Sequence, residues 1–236
     1  MEFARQMLRF DADERQSEVL RTTAKWVLVC CSRQWGKSTV AAIAATHHML
    51  MRAGAFVVVV APTERQAGEL VRKTRMMFQR MGLRVKGDGG TRHSVVLVNG
   101  SRMIALPSTD ATSRCYGGVT LLIVDEAAHV ADAVIDAARP FLATTNGAMW
   151  MIGTPHGKRG RFWEAWQLEA DLWVRFTAKA EDCPRISKEF LEIERRRGER
   201  RFREEYCCEF LENAGGVFEV SLLLERVTEE FKPLKV

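Results

Sequence analysis

The feature of this sequence that most constrains its fold is a set of short, continuous apolar runs rich in Val, Ile and Leu. They are KWVLVCC (25–31), AFVVVVAP (55–62), VTLLIVDEAA (119–128) and AMWMIGTP (148–155). A strand with one face in solvent alternates apolar and polar residues, whereas a strand covered on both faces is apolar throughout. Segments with a helical pattern, such as 37–52 and 64–81, separate the runs. We therefore predict an α/β fold in which helices sandwich a mostly parallel sheet.

Three further segments complete the predicted architecture. In SVVLVNGSRMIAL (94–106), Asn-Gly lies between two β-rich runs, which indicates a hairpin, and LWVRFTAKA (172–180) is a candidate for the last core strand. Beyond Pro184 the chain becomes helical and highly charged, and Phe202, Tyr206 and Phe210 are spaced so that one helical face can pack on the core. We expect a core of residues 1–180, a helical subdomain of 181–215 and a tail of 216–236.

The composition limits the classes of protein to be considered. The longest strongly apolar run, 56–61, is far shorter than the roughly 20 residues of a membrane span, so we expect no contact with a membrane. Residues 1–16 intersperse charges among apolar positions, which disfavours a secretory signal and favours a cytoplasm. The six cysteines have no C-x-x-C spacing, which disfavours a zinc site or a disulfide framework. A net charge of +5 permits a polyanionic partner without identifying one.

Two groups of residues suggest functions that we do not favour. The arginine-rich segment 195–203 invites a role in DNA binding, but Glu192 with Arg196, and Glu199 with Arg203, can form ion pairs within a helix. This balance favours a solvated helical surface. The histidines lack the spacing of metal ligands, so we expect structural or solvent-facing roles for all of them. They are His47, His48, His93, His129 and His156.

The segment CSRQWGKST (31–39) has the setting of a phosphate-binding loop, because it lies between the first predicted strand and the first long helix. Backbone N–H groups at a helix N-terminus attract phosphate oxygens. In such a loop Lys37 would reach the β- and γ-phosphates, Ser38 would hold Mg²⁺, and Gly36 would let the backbone approach closely. Cys31 stands where the common form of the loop begins with glycine. Taken alone, the motif therefore leaves a working nucleotide site and a chance match equally open.

Two carboxylates end the run LLIVDE, at the edge of an α/β sheet where ligands bind. Adjacent residues of an extended chain point to opposite sides, so Asp125 and Glu126 can take separate roles. Asp125 can bind Mg²⁺, and Glu126 can orient and polarise the water that attacks a γ-phosphate. Thr154 ends the next run and could lie near that phosphate, although an ordinary strand-to-turn exit explains it equally well. Together with the loop around Lys37, this pattern favours an ATPase.

Five segments converge on a known family. SRQWGKST, VVVVAPTERQAGEL, TSRCYGGVTLLIVDEAAHV, MIGTPHGKRGRFWEAW and FREEYCCEFLENAGGVF, in this order, resemble the ATPase domain of phage large terminase subunits. The resemblance covers most of the chain and implies a P-loop NTPase fold of the RecA-like (ASCE) type with a small helical lid. It also implies a Mg²⁺-dependent ATPase that drives double-stranded DNA into a procapsid. The family's phosphate loop commonly lacks the first glycine and carries an arginine just before Gly-Lys, so we expect the loop to work despite Cys31.

The resemblance assigns roles to individual residues. It gives Lys37 and Ser38 the phosphate and magnesium roles, makes Asp125 the second magnesium ligand, makes Glu126 the catalytic carboxylate, and places Thr154 in the motif that couples hydrolysis to movement. The other nucleotide contacts that we expect from the loop are Ser32, Arg33, Gln34, Trp35, Gly36 and Thr39, with Arg33 at the γ-phosphate.

Two further assignments lie outside the loop and the strand ends. Arg114 in SRCYGG resembles an arginine finger supplied to a neighbouring subunit's site, although Cys115 stands where the family usually has glycine. The resemblance leaves open whether Arg33 or Arg114 is the main arginine finger. Gln16 resembles an adenine-reading glutamine upstream of the loop, and an exposed helical glutamine is an equally good interpretation.

The resemblance also implies partners. Members of the family form a ring, usually of five subunits, at the portal of an empty capsid, so we expect duplex DNA, the portal protein and the small terminase subunit as partners in the host cytoplasm. The isolated chain could be a monomer. The turn 158–161 and the loop 86–92 are candidate DNA contacts, and either could equally be solvated. Family members carry a C-terminal nuclease domain, so we interpret residues 216–236 as a tail or linker toward such a domain.

Two alternative functions remain at this point. A helicase or other nucleic-acid translocase would use the same hydrolytic residues, but helicases with such motifs usually need two motor domains in one chain. An assembly module that binds ATP without hydrolysing it would have no need for Glu126. The joint presence of Lys37, Asp125 and Glu126 therefore favours the ATPase.

Overall fold

The computed structural model describes residues 2–87, 89, 93–106 and 116–212. Arg114, Cys115 and the predicted tail 216–236 lie outside these residues. The helices are α1 Glu2–Leu8, α2 Glu14–Arg21, α3 Lys37–Met51, α4 Glu64–Arg80, α5 Asp132–Ala138, α6 Gly160–Gln167, α7 Lys188–Arg197 and α8 Glu199–Glu205. The strands are β1 Trp26–Cys31, β2 Phe56–Val60, β3 Ser94–Val96, β4 Arg102–Leu106, β5 Leu121–Asp125, β6 Ala148–Gly153 and β7 Val174–Ala178. Short 3₁₀ turns cover Ala127–His129, Arg139–Leu142 and Ala180–Asp182.

The seven strands form one sheet in the order β3-β4-β2-β5-β6-β1-β7. All neighbouring strands are parallel except β3 and β4, which are antiparallel. The mostly parallel sheet and the hairpin are therefore confirmed. The hairpin loop is closed by a hydrogen bond from the Leu97 N–H to the Ser101 carbonyl, and Gly100 adopts a φ of 81° there, which explains its glycine. The predicted last strand, β7, is an edge strand with Val174 exposed.

The sheet is covered on both faces because its strands are apolar on both sides. Every residue of β2 and β5 is buried. Val29 of β1 belongs to one hydrophobic cluster and its neighbour Leu28 to the other, as the alternation of side chains along a strand requires. On one face α3 and α4 pack against each other and both contact the sheet, and on the other the cluster includes Ile135 of α5 and Phe162 of α6. Among the described residues, no helix is both long enough and apolar enough to cross a membrane.

The charged segment after Pro184 folds as α7 and α8, which build a small hydrophobic cluster of their own with Ala180, Phe202 and Tyr206. The prediction that Phe210 shares a helical face with these residues is wrong. Helix α8 ends at Glu205, and the chain then turns, so Phe210 packs against Phe162 and Trp166 with ring centroids 5.9 and 6.0 Å away.

The turn after α8 also affects the ion pairs of this segment. The predicted pair of Glu192 and Arg196 is present, with Nε and Oε1 3.2 Å apart. The carboxylate of Glu209, beyond the end of α8, pairs with Arg203 at 2.5 Å, and Glu199 lies 4.0 Å from Arg195 instead. The second predicted pair is therefore wrong, because the turn after α8 brings a different carboxylate to Arg203.

His48 of α3 is hydrogen-bonded at the amino ends of β2 and β5. One ring nitrogen of His48 lies 2.8 Å from Thr120 Oγ1, and that hydroxyl also accepts a hydrogen bond from the Phe56 N–H at 3.1 Å. Burial, followed by the positive charges of Arg52 and His47, lowers the pKa of His48 to about 4. The imidazole is therefore neutral at pH 7.

This lowered pKa predicts that the fold loses stability in weak acid. Above pH 6.5 His48 is neutral in both the folded and the unfolded chain, but between pH 6.5 and about 4 only the unfolded chain takes up the proton. The free energy of unfolding should fall across this range by roughly 1–2 kcal/mol, allowing for the partial exposure of the ring. Urea unfolding at pH 7.5 and pH 5 measures the slope, and His48→Gln should flatten it more than His47→Gln at the exposed neighbour. Equal slopes in wild type and His48→Gln would contradict this assignment.

Candidate active site

A cavity of about 690 Å³ lies at the carboxyl edge of the sheet. Strands β5, β6 and β1 are parallel neighbours, so the segments that follow them meet at this edge. The cavity is lined by Lys37 and Ser38 after β1, by Glu126 after β5 and by Thr154 after β6. The structure thus brings together the residues that the sequence placed on three separate elements.

The loop before α3 has the backbone of an anion-binding turn. Gln34 and Gly36 adopt φ values of 63° and 101°, in the left-handed region that favours glycine. A Cβ atom on Gly36 would lie 3.1 Å from the side-chain amide nitrogen of Gln16. Helix α3 begins at Lys37 without a side-chain cap, so its first N–H groups are available to an anion.

Lys37 lies at the centre of the site. Its Nζ is 2.8 Å from Glu126 Oε1 and donates a hydrogen bond to Thr154 Oγ1 at 3.3 Å. Burial alone would lower the pKa of Lys37, but neighbouring groups that include the Glu126 and Asp125 carboxylates outweigh it and raise that pKa. The ammonium is therefore charged, and in this arrangement Glu126 is its counter-ion. An incoming phosphate group has to compete with that carboxylate.

Ser38 and Asp125 form a second polar pair, in which Ser38 Oγ donates to Asp125 Oδ2 at 3.3 Å. Asp125 is only 4% exposed, and burial, followed by the charge of Glu126, raises its pKa. A hydroxyl beside a carboxylate offers the hard oxygen ligands that Mg²⁺ prefers. No group of three or more His, Cys, Asp or Glu side chains in the described part of the chain could hold a metal ion. A cation at Ser38 and Asp125 would therefore complete its shell with phosphate oxygens and water.

Two backbone features position the Glu126 carboxylate. Glu126 adopts a φ of 52°, an uncommon conformation for a residue other than glycine, and strain of this kind concentrates at functional sites. Gly153 at the end of β6 lies so close to the following turn that a Cβ atom there would be 3.1 Å from the Ala127 N. The glycine lets the ends of β5 and β6 approach each other.

The loop residues divide into those that line the cavity and those that support it. Arg33, Gln34 and Gly36 line it. The side chains of Ser32 and Trp35 are fully buried and do not line it, so the expected contacts of these two residues with a nucleotide stay a prediction. Thr39 does not line the cavity either, and its N–H is bonded to the Gly36 carbonyl within the first turn of α3.

Arg33 faces the helical segment. Its backbone N–H donates to the Glu205 carbonyl at 3.0 Å, and its guanidinium lies 3.2 Å from Glu205 Oε1. The side chain is 52% exposed, so it borders the mouth of the cavity, next to α8.

Gln16 holds the loop from behind. It is 1% exposed, its Nε2 donates to the Trp35 carbonyl at 2.8 Å, and its Oε1 accepts from the Asp13 N–H at 3.2 Å. Arg185 donates to the same Trp35 carbonyl at 2.7 Å and to Asp13 Oδ2 at 2.9 Å. Both ends of the Gln16 amide are thus occupied within the chain, and Gln16 does not line the cavity. The interpretation of Gln16 as an exposed helical glutamine is therefore wrong, because the amide braces the loop, and the adenine-reading role stays a prediction.

The cavity also contains residues that the sequence analysis missed. Gln66 and Lys73 of α4 line it, as do His129, His156 and the pair Glu204 and Glu205. Gln66 lies in the segment PTERQAGEL and Glu205 in FREEY, two segments that contribute to the family resemblance. The sequence around His129 gives no indication that it contacts His156, because His129 follows β5 and His156 follows β6.

Two of the three cations in the turn 158–161, a candidate DNA contact, are paired with carboxylates within the chain. Lys158 Nζ lies 2.6 Å from Glu212, and Arg161 is held by Asp136 at 2.8 Å and Glu164 at 2.6 Å. Lys158 and Arg161 are therefore engaged by carboxylates, whereas the exposed Arg159 of the same turn contacts His156, and a role of the turn in DNA binding stays a prediction. The other candidate, 86–92, is described only at residues 86, 87 and 89.

The fold and the site have the form of a P-loop nucleotide-binding domain with a RecA-like fold. The sequence model of the family described as terminase large subunit, T4likevirus-type, N-terminal matches residues 28–225, and the chain belongs to this family. The large terminase subunit of Thermus phage G20c is 26% identical across 97% of this chain, which spans 56% of that relative's length.

Solved structures agree on the fold. The large terminase ATPase domain of Thermus phage P74-26 superimposes with a TM-score of 0.76 at 24% identity, covering 88% of this chain and 97% of that one. The large terminase of a thermophilic bacteriophage in complex with ADP gives a TM-score of 0.72 at 15% identity, covering 85% of this chain and 54% of that one. These similarities confirm the predicted fold class.

The bracing role of Gln16 predicts how Gln16→Met would behave. The variant keeps the volume of the side chain but leaves the Trp35 carbonyl with one hydrogen-bond donor fewer, so the free energy of unfolding should fall by about 1–3 kcal/mol. The affinities for ADP and GDP should fall by similar factors, because the loop that both would use is loosened. Urea unfolding and nucleotide titrations measure the two effects, with Gln79→Met at an exposed position of α4 as the matched control. A loss of affinity confined to ADP would contradict the bracing role and support the adenine-reading one.

Proposed function

We propose that this chain hydrolyses ATP in a magnesium-dependent reaction and is the motor domain that drives double-stranded DNA into a procapsid. The observation that carries the proposal is the meeting of the Lys37 ammonium, the Glu126 carboxylate and the Thr154 hydroxyl within 3.3 Å. Membership of the terminase large-subunit family supports it. Structures of the large terminase of the same thermophilic bacteriophage with ADP and with ATP-gamma-S support a nucleotide as the ligand of this cavity.

Phosphate binding would release Glu126 for catalysis. The N–H groups at the start of α3 and the ammonium of Lys37 attract the β- and γ-phosphates. Because Lys37 is now paired with Glu126, its transfer to the phosphates frees that carboxylate. Glu126 can then accept a hydrogen bond from the water that attacks the γ-phosphorus and orient it for attack.

Ser38 and Asp125 would hold the magnesium ion. Bound there, Mg²⁺ would neutralise charge on the phosphate oxygens. The fit rests on the chemistry of the two ligands, a hydroxyl and a carboxylate whose oxygens lie 3.3 Å apart beside the loop.

Thr154 would couple the presence of a phosphate at Lys37 to the position of the end of β6. Its hydroxyl donates to the Cys31 carbonyl at 3.0 Å and accepts from Lys37 at 3.3 Å, so it joins the end of β6 to the phosphate loop. A movement of Lys37 toward the phosphates therefore changes a hydrogen bond of β6. We assign residues 181–215 as a lid on the core 1–180. The separate cluster around Phe202 and the contacts of Glu205 with Arg33 support this division.

The proposed partners follow from the family. They are duplex DNA, the portal protein, the small terminase subunit and copies of the chain in a ring of five, in the host cytoplasm. DNA contacts in such a motor would be mainly to phosphates, hence independent of sequence and weakened by salt. Arg33 remains our candidate for a γ-phosphate contact within the subunit, and Arg114 for one supplied to the neighbouring subunit.

The role of Glu126 predicts a separation of binding from turnover. Glu126→Gln should lower the rate of ATP hydrolysis by about 10²- to 10⁴-fold, because the amide is a far weaker base for the attacking water. The affinity for ATP-gamma-S should not fall, since the substitution removes the charge that competes for Lys37. A steady-state phosphate assay and a nucleotide titration measure both quantities. Glu189→Gln, at an exposed carboxylate of α7, is the control. Unchanged turnover in Glu126→Gln would refute the catalytic assignment.

The arginine-finger assignment predicts that turnover depends on protein concentration. If Arg114 acts on a neighbour's site, the specific activity of the wild type should rise as subunits associate, and Arg114→Ala should lose about 10³- to 10⁵-fold at the highest concentration. Specific activity across a concentration series, beside light scattering for assembly, is the measurement. Turnover that is independent of concentration and of Arg114 would mean that one subunit holds a complete site. No turnover in the wild type, even with DNA and portal protein, would favour the ATP-binding assembly module.

A further inference from the structure

Two histidine rings pack against each other beside the Glu126 carboxylate. The ring centroids of His129 and His156 are 4.4 Å apart, with an angle of 39° between the rings. His129 ends the 3₁₀ turn that follows Glu126, and His156 lies two residues after Thr154. The pair therefore joins the segments beyond β5 and β6 at the end of the cavity where the γ-phosphate would be cleaved.

The hydrogen bonds of the pair leave donors for an anion. Arg159 Nη2 lies 2.9 Å from His156 Nε2, and a guanidinium can only donate, so this nitrogen accepts and the ring proton is on Nδ1. Burial, followed by the neighbouring His156, lowers the pKa of His129. His129 is therefore neutral at pH 7 and also carries one N–H donor. The exposed guanidinium of Arg159 adds positive charge beside them.

A second depression opens on the far side of the pair. It has a volume of about 410 Å³, and His129 and His156 line both it and the larger cavity. The rest of its wall comes from residues 128–132 together with Arg159 and Gly160. Its carboxylate, Asp132, already accepts the Arg161 N–H at 2.9 Å. The depression therefore presents hydrogen-bond donors and a cation, beside a carboxylate that is already engaged.

The helical lid borders only one of the two spaces. Glu204 and Glu205 line the nucleotide cavity, and Glu204 holds the Gly157 N–H at 3.2 Å. The walls of the second depression are formed wholly by residues 128–160. A small anion that passed along the two imidazoles, from the cavity to the depression, would thus leave without any movement of α8.

We propose that the His129–His156 pair is the exit for the inorganic phosphate produced at this site, and that the depression beyond it holds the phosphate transiently. The inference rests on the proposed ATP hydrolysis. After cleavage the ADP product remains on the loop around Lys37, whereas the phosphate is left at the Glu126 end, against the imidazoles. The N–H groups of both rings and the guanidinium of Arg159 replace the hydrogen bonds that the anion loses as it departs.

The test separates cleavage from release under single-turnover conditions, with the chain in excess over ATP. Rapid quenching measures ADP formation, and a fluorescent phosphate-binding protein measures free phosphate. His129→Phe and His156→Phe keep an aromatic ring but remove its hydrogen bonds, so phosphate release should slow by about tenfold or more while bound ADP and phosphate still form. In ¹⁸O-water the retained phosphate should exchange more oxygen atoms. His47→Phe, whose ring packs on Phe3 outside the nucleotide cavity, is the matched control.

Three outcomes would overturn the exit. Slower ADP formation with an unchanged rate of phosphate release would mean that the pair acts on the chemical step. Rates in both variants equal to those of His47→Phe would mean that the two rings contribute packing alone. If both variants release phosphate at the normal rate but their specific activity no longer rises with protein concentration, the depression would instead admit a residue of the neighbouring subunit. These results require that the wild type forms ADP, and its failure to do so would instead refute the proposed function itself.

A second measurement needs no turnover. Inorganic phosphate is titrated into the ADP-loaded chain while the imidazole signals of the five histidines are followed by NMR. The signals of His129 and His156 should shift together and saturate, whereas those of His47 and His48, which lie outside the cavity and the depression, should not. Equal shifts at all five rings, or none at His129 and His156, would overturn the phosphate site.

Discussion

The parallel alignment of β5, β6 and β1 is the constraint on which the site depends. Asp125 pairs with Ile152 in one ladder and Cys30 with Gly153 in the next, so the three strands end level with one another. The segments that follow them carry Glu126, Thr154 and Lys37, and only this register brings the three side chains within 3.3 Å. A slip of one residue would turn every side chain of a strand to the opposite face and dismantle the site. The fully apolar strands hold the register because both faces are packed.

The electrostatics of the site follow from burial at that edge. Asp125 is nearly inaccessible and Lys37 is mostly buried, so each needs a partner of its own. Lys37 forms an ion pair with Glu126, and Asp125 accepts hydrogen bonds from the hydroxyl of Ser38 and the N–H of Glu126. In the proposed function these are the groups that a magnesium-bound nucleotide would engage, so its binding would exchange the present partners of Lys37 and Asp125 for phosphate and metal. The strained φ of Glu126 and the glycine at 153 are local costs of bringing the two strand ends together.

The loop before α3 depends on contacts from the rest of the chain. Gln16 and Arg185 both hold the Trp35 carbonyl, and Glu205 holds the backbone N–H of Arg33. The phosphate loop is therefore braced by α2 on one side and by the segment after Pro184 on the other. This arrangement explains how a loop with Cys31 in place of the usual glycine keeps a defined shape, since long-range hydrogen bonds determine its conformation. The helical subdomain is accordingly part of the site, although its own hydrophobic cluster is small.

The sequence by itself determined the strands, the hairpin, the phosphate loop and the acidic strand end, because each depends on a local pattern of apolar periodicity or turn residues. Only the tertiary structure decided that Gln16 is buried behind the loop, that Phe210 leaves its helical face, and that His129 meets His156. Each of these contacts joins residues on different elements. Their partners are chosen by how the elements pack, and spacing along one element carries no information about that choice.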